Sequence, residues 1–217
     1  MSFELSQTPT LEAVATGDEE TLAQDMQARV AEATKQAEAI PDVASAMEGA
    51  SNAAAQLARL RGAERALHQI AKEAREKWEQ AGQAALDALV ETAASGDKPD
   101  WKKAAEAALI ETQIRYAGRA IERLTEHTIP LAQIVGLREE AHSLEAQARA
   151  LESIAQERAE KVLGQIRAAV SDEMVLPVDM SKGVAGALLA RAKDLRQRAV
   201  QLSTEADGWE RKYESRS

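Results

Sequence analysis

The seven residues "SGDKPDW", Ser95 to Trp101, decide how this chain folds, because they form the strongest turn signal between two long helical patterns. Gly96 suits a helix C-terminus, where glycine adopts left-handed backbone without steric cost. Asp97 suits an N-cap, with Pro99 in the first turn of the helix that follows. The chain is therefore expected to reverse here, and its two flanks become the arms of a long helical hairpin.

Working back from the turn, Asp42 to Ala94 contains no proline. As one helix it would span roughly 80 Å at 1.5 Å per residue, far beyond the usual length of about 11 or 12 residues. Its apolar stripe runs Leu60, Ala63, Leu67, Ile70 and Ala74, then after a small phase change Trp78, Ala81, Ala85 and Leu89. Gly49, Gly62 and Gly82 each weaken a helix by about 1 kcal/mol relative to alanine. Pro41 ends an earlier helix, 18–40, which carries three acids in its first turn, where the helix dipole favours negative charge. Residues 1–17 have no sustained period and read as a flexible or docking arm.

Forward from the turn, Ala107, Ile110, Ile114, Ala117, Ile121, Leu124, Thr128, Leu131 and Val135 form a nearly unbroken heptad track. Pro130 falls inside it. A proline removes one backbone hydrogen bond and presses on the preceding turn, so a kink is expected near 130–136, where Gly136 and a phase slip before Leu137 also fall. A second track then runs Leu137, Ala141, Leu144, Ala148, Leu151 and Ala155. The hairpin as a whole covers 42–170.

The segment 171–183, with Pro177 and Gly183, interrupts the helices and is unusually apolar for a connection, which predicts that it docks on a bundle end or a neighbour. The last helix, 184–215, repeats the leucine–alanine alternation at Leu188, Ala192, Leu195, Ala199, Leu202 and Ala206, and closes with Trp209 and Tyr213. Steps of four and three mark a helix that buries one narrow stripe against another helix. The Leu137 to Ala155 track is its most natural partner. Trp209 and Tyr213 widen the stripe at its end, where the rings are expected to lie against a bundle end or a neighbouring subunit.

Composition agrees with long helices. About a fifth of the 217 residues are alanine, aromatics are 3%, and there is no cysteine. Long helices and coiled coils have this bias, and the scarcity of aromatics argues against a wide globular core. No run approaches the roughly 20 apolar residues of a membrane helix. The first residues lack the basic start and apolar stretch of a secretory signal, so cytoplasmic residence, or incorporation into a particle assembled there, is the simplest expectation. The net charge is −9 and unevenly placed, with acids concentrated before Ala50 and a basic excess after Ser181. An acidic chain is repelled by nucleic acid and anionic membranes, whereas oppositely biased ends favour head-to-tail contact.

Chemistry-bearing patterns are sparse. Glu139 and His142 form a Glu-x-x-His pair, but a di-iron bundle needs two such pairs and two further glutamates. No nucleophile elbow or glycine-rich phosphate loop follows a strand pattern. Arg115, Arg119 and Arg123 stand four apart on one helix face; like charges at that spacing repel by a few tenths of a kcal/mol per pair. Local pairing with Glu111, Glu122 and Glu126 is the simplest answer to that repulsion, and an acidic segment of this or another subunit the next.

These readings converge on an all-α protein, an elongated antiparallel helical hairpin with a C-terminal helix packed along it. No catalytic residue, cofactor or metal is expected, and no small-molecule, nucleic-acid or membrane partner. The expected function is structural: a coiled-coil building block that joins copies of itself or a larger particle. In general character this resembles helical assembly proteins of virions or secretion machines, a likeness of composition alone. The competing expectation is an acidic helical adaptor that occupies a basic site on a partner protein, with nucleic-acid mimicry as one form of it.

Overall fold

The computed structural model describes residues 19–96, 98, 101–169 and 183–215, with the side chains of 19–22 and 167–169 not described. The expected arm at 1–17, the N-cap at Asp97 and nearly all of the apolar connection at 171–183 lie outside the described residues. Five α-helices follow in order: α1 (Glu19–Glu38), α2 (Pro41–Ser95), α3 (Trp101–Arg123), α4 (Ile129–Ala169) and α5 (Val184–Glu214), with a π-helical turn, Leu124–Thr128, between α3 and α4. No strand occurs among the described residues. The fold is an all-α helical bundle.

Local sequence explains where these helices begin and end. Pro41 is the first residue of α2, a position where its missing N–H is no loss. Asp42 follows in the first turn, and the Ala44 N–H donates to the Ile40 carbonyl at 2.9 Å. Gly96, one residue past α2, has φ of 75°, and Gly183, just before α5, has φ of 86°. Both lie in the left-handed region, where a Cβ would be strained.

Two compact units are present. The first comprises the chain to Ala50 together with Leu137–Glu205, so it draws on α1, the start of α2, most of α4 and most of α5. Its core is a cluster of alanines with a few larger residues: Ala33 and Ala37 of α1, Val43 of α2, Ala148, Leu151 and Ala155 of α4, and Leu188 and Ala192 of α5. Alanine lets helix axes approach closely, towards the short end of the usual 8–10 Å. Each alanine removes little apolar area from water, about 0.8 kcal/mol per methylene equivalent. Leu151 and Leu188 are the largest fully buried side chains among the described residues. The only buried polar side chain among the described residues is Ser143, whose hydroxyl accepts from Gln147 Nε2 at 3.2 Å.

The second unit comprises Ser51–Gly136 and Ala206–Ser217. Here α2 and α3 run antiparallel, so that residues 78–89 lie beside 104–111 and residues 68–79 beside 114–121. Its buried positions are again small: Ala71, Ala74, Ala85 and Ala88 on α2, Ala107 and Ala117 on α3. Five expected seam positions are exposed instead, Ala63, Ile70 and Trp78 on α2 and Leu131 and Val135 on α4. Ile70 is 54% exposed and its neighbour Ala71 takes the inner position at 8%. Leu131 and Val135 are 45% and 50% exposed, and Ile134 is buried at 5%.

The π turn accounts for the exposure of Leu131 and Val135. In it the Ile129 N–H donates to the Leu124 carbonyl, five residues back, so one extra residue enters the helix. That residue rotates everything after it by about 100° relative to an unbroken helix. Leu131 and Val135 are therefore turned off the face that carries Leu124 and Thr128, and the half-buried Ala132 and Gly136 take their places. Thr125 and Thr128 hydroxyls donate to the Ile121, Glu122 and Arg123 carbonyls, which supplies partners where the regular ladder is disturbed. The irregularity thus falls one turn ahead of Pro130, while 129–169 is continuous α-helix.

Gly62 lies within α2, and a Cβ added there meets no heavy atom within 4 Å. Gly62→Ala is expected to raise the unfolding free energy by about 0.5–1 kcal/mol, because alanine loses less backbone entropy in a helix. Urea titration followed by circular dichroism measures this; a destabilised variant would refute it.

Candidate interaction surfaces

The two leucine–alanine seams meet inside the first unit. Ala148, Leu151, Leu188 and Ala192 share its core cluster, with Leu195 packed against it. Ala141 and Ala199 are buried, and Leu137, Leu144 and Leu202 are half-buried. Polar contacts flank the seams: Arg196 meets Glu152 at 2.6 Å and Arg198 meets Glu140 at 3.9 Å. Both pairs are substantially solvated and contribute at most about 1 kcal/mol each. They fix which way α4 and α5 face more than they stabilise the fold. These seam residues hold their own unit together.

At the close approach of α2 to α4, a Cβ on Gly49 would stand 2.9 Å from Glu139 Oε2. Glu139 therefore folds over the glycine, while His142 is exposed. No group of three or more histidine, aspartate or glutamate side chains is arranged to hold a metal among the described residues.

Tyr213 is half-buried and its ring meets His127 of the π turn edge-on, with centroids 6.1 Å apart. Trp209 is also half-buried, and the Lys212 ammonium lies 5.4 Å from the centre of its ring. A cation over an indole face at that distance contributes about 0.5–1 kcal/mol at an exposed site. Of the arginine stripe, Arg115 pairs with Glu111 at 3.1 Å. Arg119 and Arg123 are exposed, and neither guanidinium has an ion-pair partner among the described residues.

One flank of the α2–α3 hairpin is a shallow groove that seam analysis did not anticipate. Near the hairpin turn it has a volume of 620 Å³, with a floor of Gly82, Ala85 and Ala107 and walls that include Trp78 and Leu86. Towards the π turn it continues as a second hollow of 470 Å³, where Lys72, Arg75 and Ile121 contribute. Glu79 belongs to both, so the two hollows form one surface. The available signal was an apolar residue off the stripe: Leu86 fits no seam position, yet is followed one turn later by Val90.

No protein-family model matches the chain, and no curated protein or solved structure is detectably similar to it. Architecture alone therefore places the protein, as an all-α helical bundle. No helix is long and apolar enough to cross a membrane among the described residues.

Proposed function

We propose that this chain is a non-catalytic structural protein, a helical building block that assembles with copies of itself through its two-helix hairpin. The observation that supports this reading is the uneven distribution of exposed large apolar side chains. Nine of the fourteen such residues among the described ones fall within 51–136, among them Trp78, Leu86, Trp101 and Tyr116. Single exposed apolar residues are ordinary, whereas a concentration of them in one part of a fold marks a surface that meets another. A pair of alanine-seamed helices buries little by itself, and gains by acquiring neighbours.

The adaptor reading draws less support. The inner face of the acidic helix α1 is occupied within its own unit, with Ala33 and Ala37 both buried and Arg158 donating to Gln36 at 3.4 Å. Only its outer, polar face is left for a basic partner.

Sedimentation velocity of the full chain over a wide concentration range tests the assembly reading. The expected result is a weight-average mass that rises with concentration. A monomer at every concentration would overturn it.

A further inference from the structure

We infer that α5 has two registers on α4, one heptad apart, and that Trp209 and Tyr213 are the stops that select the observed one. This concerns a single chain and stands apart from the assembly reading. α4 and α5 leave the first unit at Leu137 and Glu205, so these residues are level and the helices run antiparallel. The pairs Arg196–Glu152 and Arg198–Glu140 straddle that register, within the reach of their long side chains. Val184, where α5 begins, then stands level with about residue 159, and α4 runs about ten residues further, to Ala169. On that overhang Val162, the next stripe position after Ala155 and Ala159, is 46% exposed.

The α5 seam supplies the second register. From Ala185 to Ala206 it alternates alanine and leucine with a seven-residue period, and it contains no polar residue of the kind that pins a coiled coil to one register. Consider α5 displaced by one heptad, about 10 Å, towards the C-terminal end of α4. Leu195 would occupy the place of Leu188, Ala199 that of Ala192, Leu202 that of Leu195 and Ala206 that of Ala199. Ala33, Ala37 and Val43, which share the core cluster with Leu188 and Ala192, would meet the same side chains as before. Leu188 would move level with Val162 and cover it. Thirteen residues, 170–182, join the two helices, and at about 3.3 Å each their length is ample for the displacement.

The repeat ends after Ala206. One heptad beyond Leu202 and Ala206 stand Trp209 and Tyr213, where the pattern would place a leucine and an alanine. The displacement would bring Trp209 to the half-buried place of Leu202, and Tyr213 to the place of Ala206, which is 0% exposed. A phenol ring enters a space that holds one methyl group only if the packed helices move apart. It would also part Tyr213 from His127. The flanking ion pairs favour the observed register more weakly, because they are substantially solvated. Ser203 would replace Arg196 beside Glu152, and Glu205 would replace Arg198 beside Glu140. Arg191 would reach the half-buried place of Val184, where its stem can lie along the surface with the guanidinium in water. The core is thus indifferent to the two registers, and the aromatic end is not.

The chain has no cysteine, so paired cysteines on the flank read the register directly. Glu152→Cys with Arg196→Cys reports the observed register, and Glu152→Cys with Ser203→Cys the displaced one. Each full-length double variant is treated with dibromobimane, which joins only closely spaced thiols, and linked product of monomer mass is followed with time. With Trp209 and Tyr213 in place, the displaced pair should link at least about tenfold more slowly than the observed pair. Trp209→Leu with Tyr213→Ala continues the leucine–alanine repeat, and should raise the rate of the displaced pair about tenfold or more. Failure of the displaced pair to link in either background overturns the second register. Equal linking with and without the rings overturns their role as stops. If the doubly substituted end abolishes the thermal transition, Tyr213→Ala alone is used, and the same two outcomes decide.

Discussion

Leu151→Ala is expected to lower the unfolding free energy of the first unit by about 3 kcal/mol, and Leu188→Ala by a similar amount. Both side chains are fully buried, at 1% and 0% exposure, and they share one cluster. Cutting leucine to alanine loses the transfer free energy of the removed atoms, together with a cavity term that grows when neighbours cannot relax. The buried neighbours here are mostly alanines held at close helix spacing, and the longer side chains, such as Ile40, Ile154 and Leu195, pack only at the cluster's edge. The cost therefore belongs in the middle of the usual range of about 2–5 kcal/mol. Against a total stability of about 5–15 kcal/mol for a domain, that is a large fraction. Leu86→Ala is the control: Leu86 is 60% exposed, and its truncation should change monomer stability by no more than about 0.5 kcal/mol. Urea unfolding with hydrogen exchange at 137–155 separates the two cases. A loss below about 1 kcal/mol at Leu151 would mean that the alanine layers close around the gap, and would refute the argument.

The seams that the sequence makes legible are those where leucine and alanine alternate without competition. From Leu137 to Ala155 and from Leu188 to Ala206 each step of three or four falls on a position that the fold turns inward, because most of the residues between are charged or polar. Legibility fails where apolar residues stand side by side. At Ile70 and Ala71 pattern reading chooses the larger residue, while the fold buries the smaller one, since close helix contact admits a methyl group more readily than an isobutyl-sized side chain. At Leu131 and Val135 the reading assumes an unbroken 3.6-residue helix, and a π turn invalidates that assumption for every residue after it.

The groove was hidden for a different reason. It is built from residues about 30 apart in sequence, and its defining feature is an absence, the lack of a third helix along that flank of the hairpin among the described residues. Apolar periodicity records which face could be buried. It does not record whether the fold supplies something to bury it. Leu86 and Trp101 are as apolar as any core residue, and only the arrangement of α2 and α3 leaves them outside. Off-stripe apolar residues on an otherwise regular heptad helix are thus the sequence trace of an unpartnered flank.

The π turn makes the sharpest test of how register governs this fold, because the same one-residue deletion should have opposite consequences at two places. Deleting Glu145, an exposed residue of α4, moves each following residue one position back around the helix. The buried places of Ala148, Leu151, Ala155 and Ala159 would then receive Arg149, Glu152, Gln156 and Glu160. Burying unpaired charged and polar groups costs several kcal/mol each, so the first unit should lose cooperative unfolding altogether. Deleting Glu126 instead removes the extra residue of the π turn and leaves a regular α-helix. Leu124 before it and Ile134 after it keep their orientations. The remaining obstacle is Pro130, whose ring would then press on the carbonyl four residues earlier, at about 3 kcal/mol. Combining the Glu126 deletion with Pro130→Ala removes that clash as well. The combined variant should melt within about 1 kcal/mol of the parent, with the same helical signal, while the Glu145 deletion shows none of the parent's thermal transition. If the two deletions melted alike, the extra residue at Leu124–Thr128 would not be what sets the phase of α4.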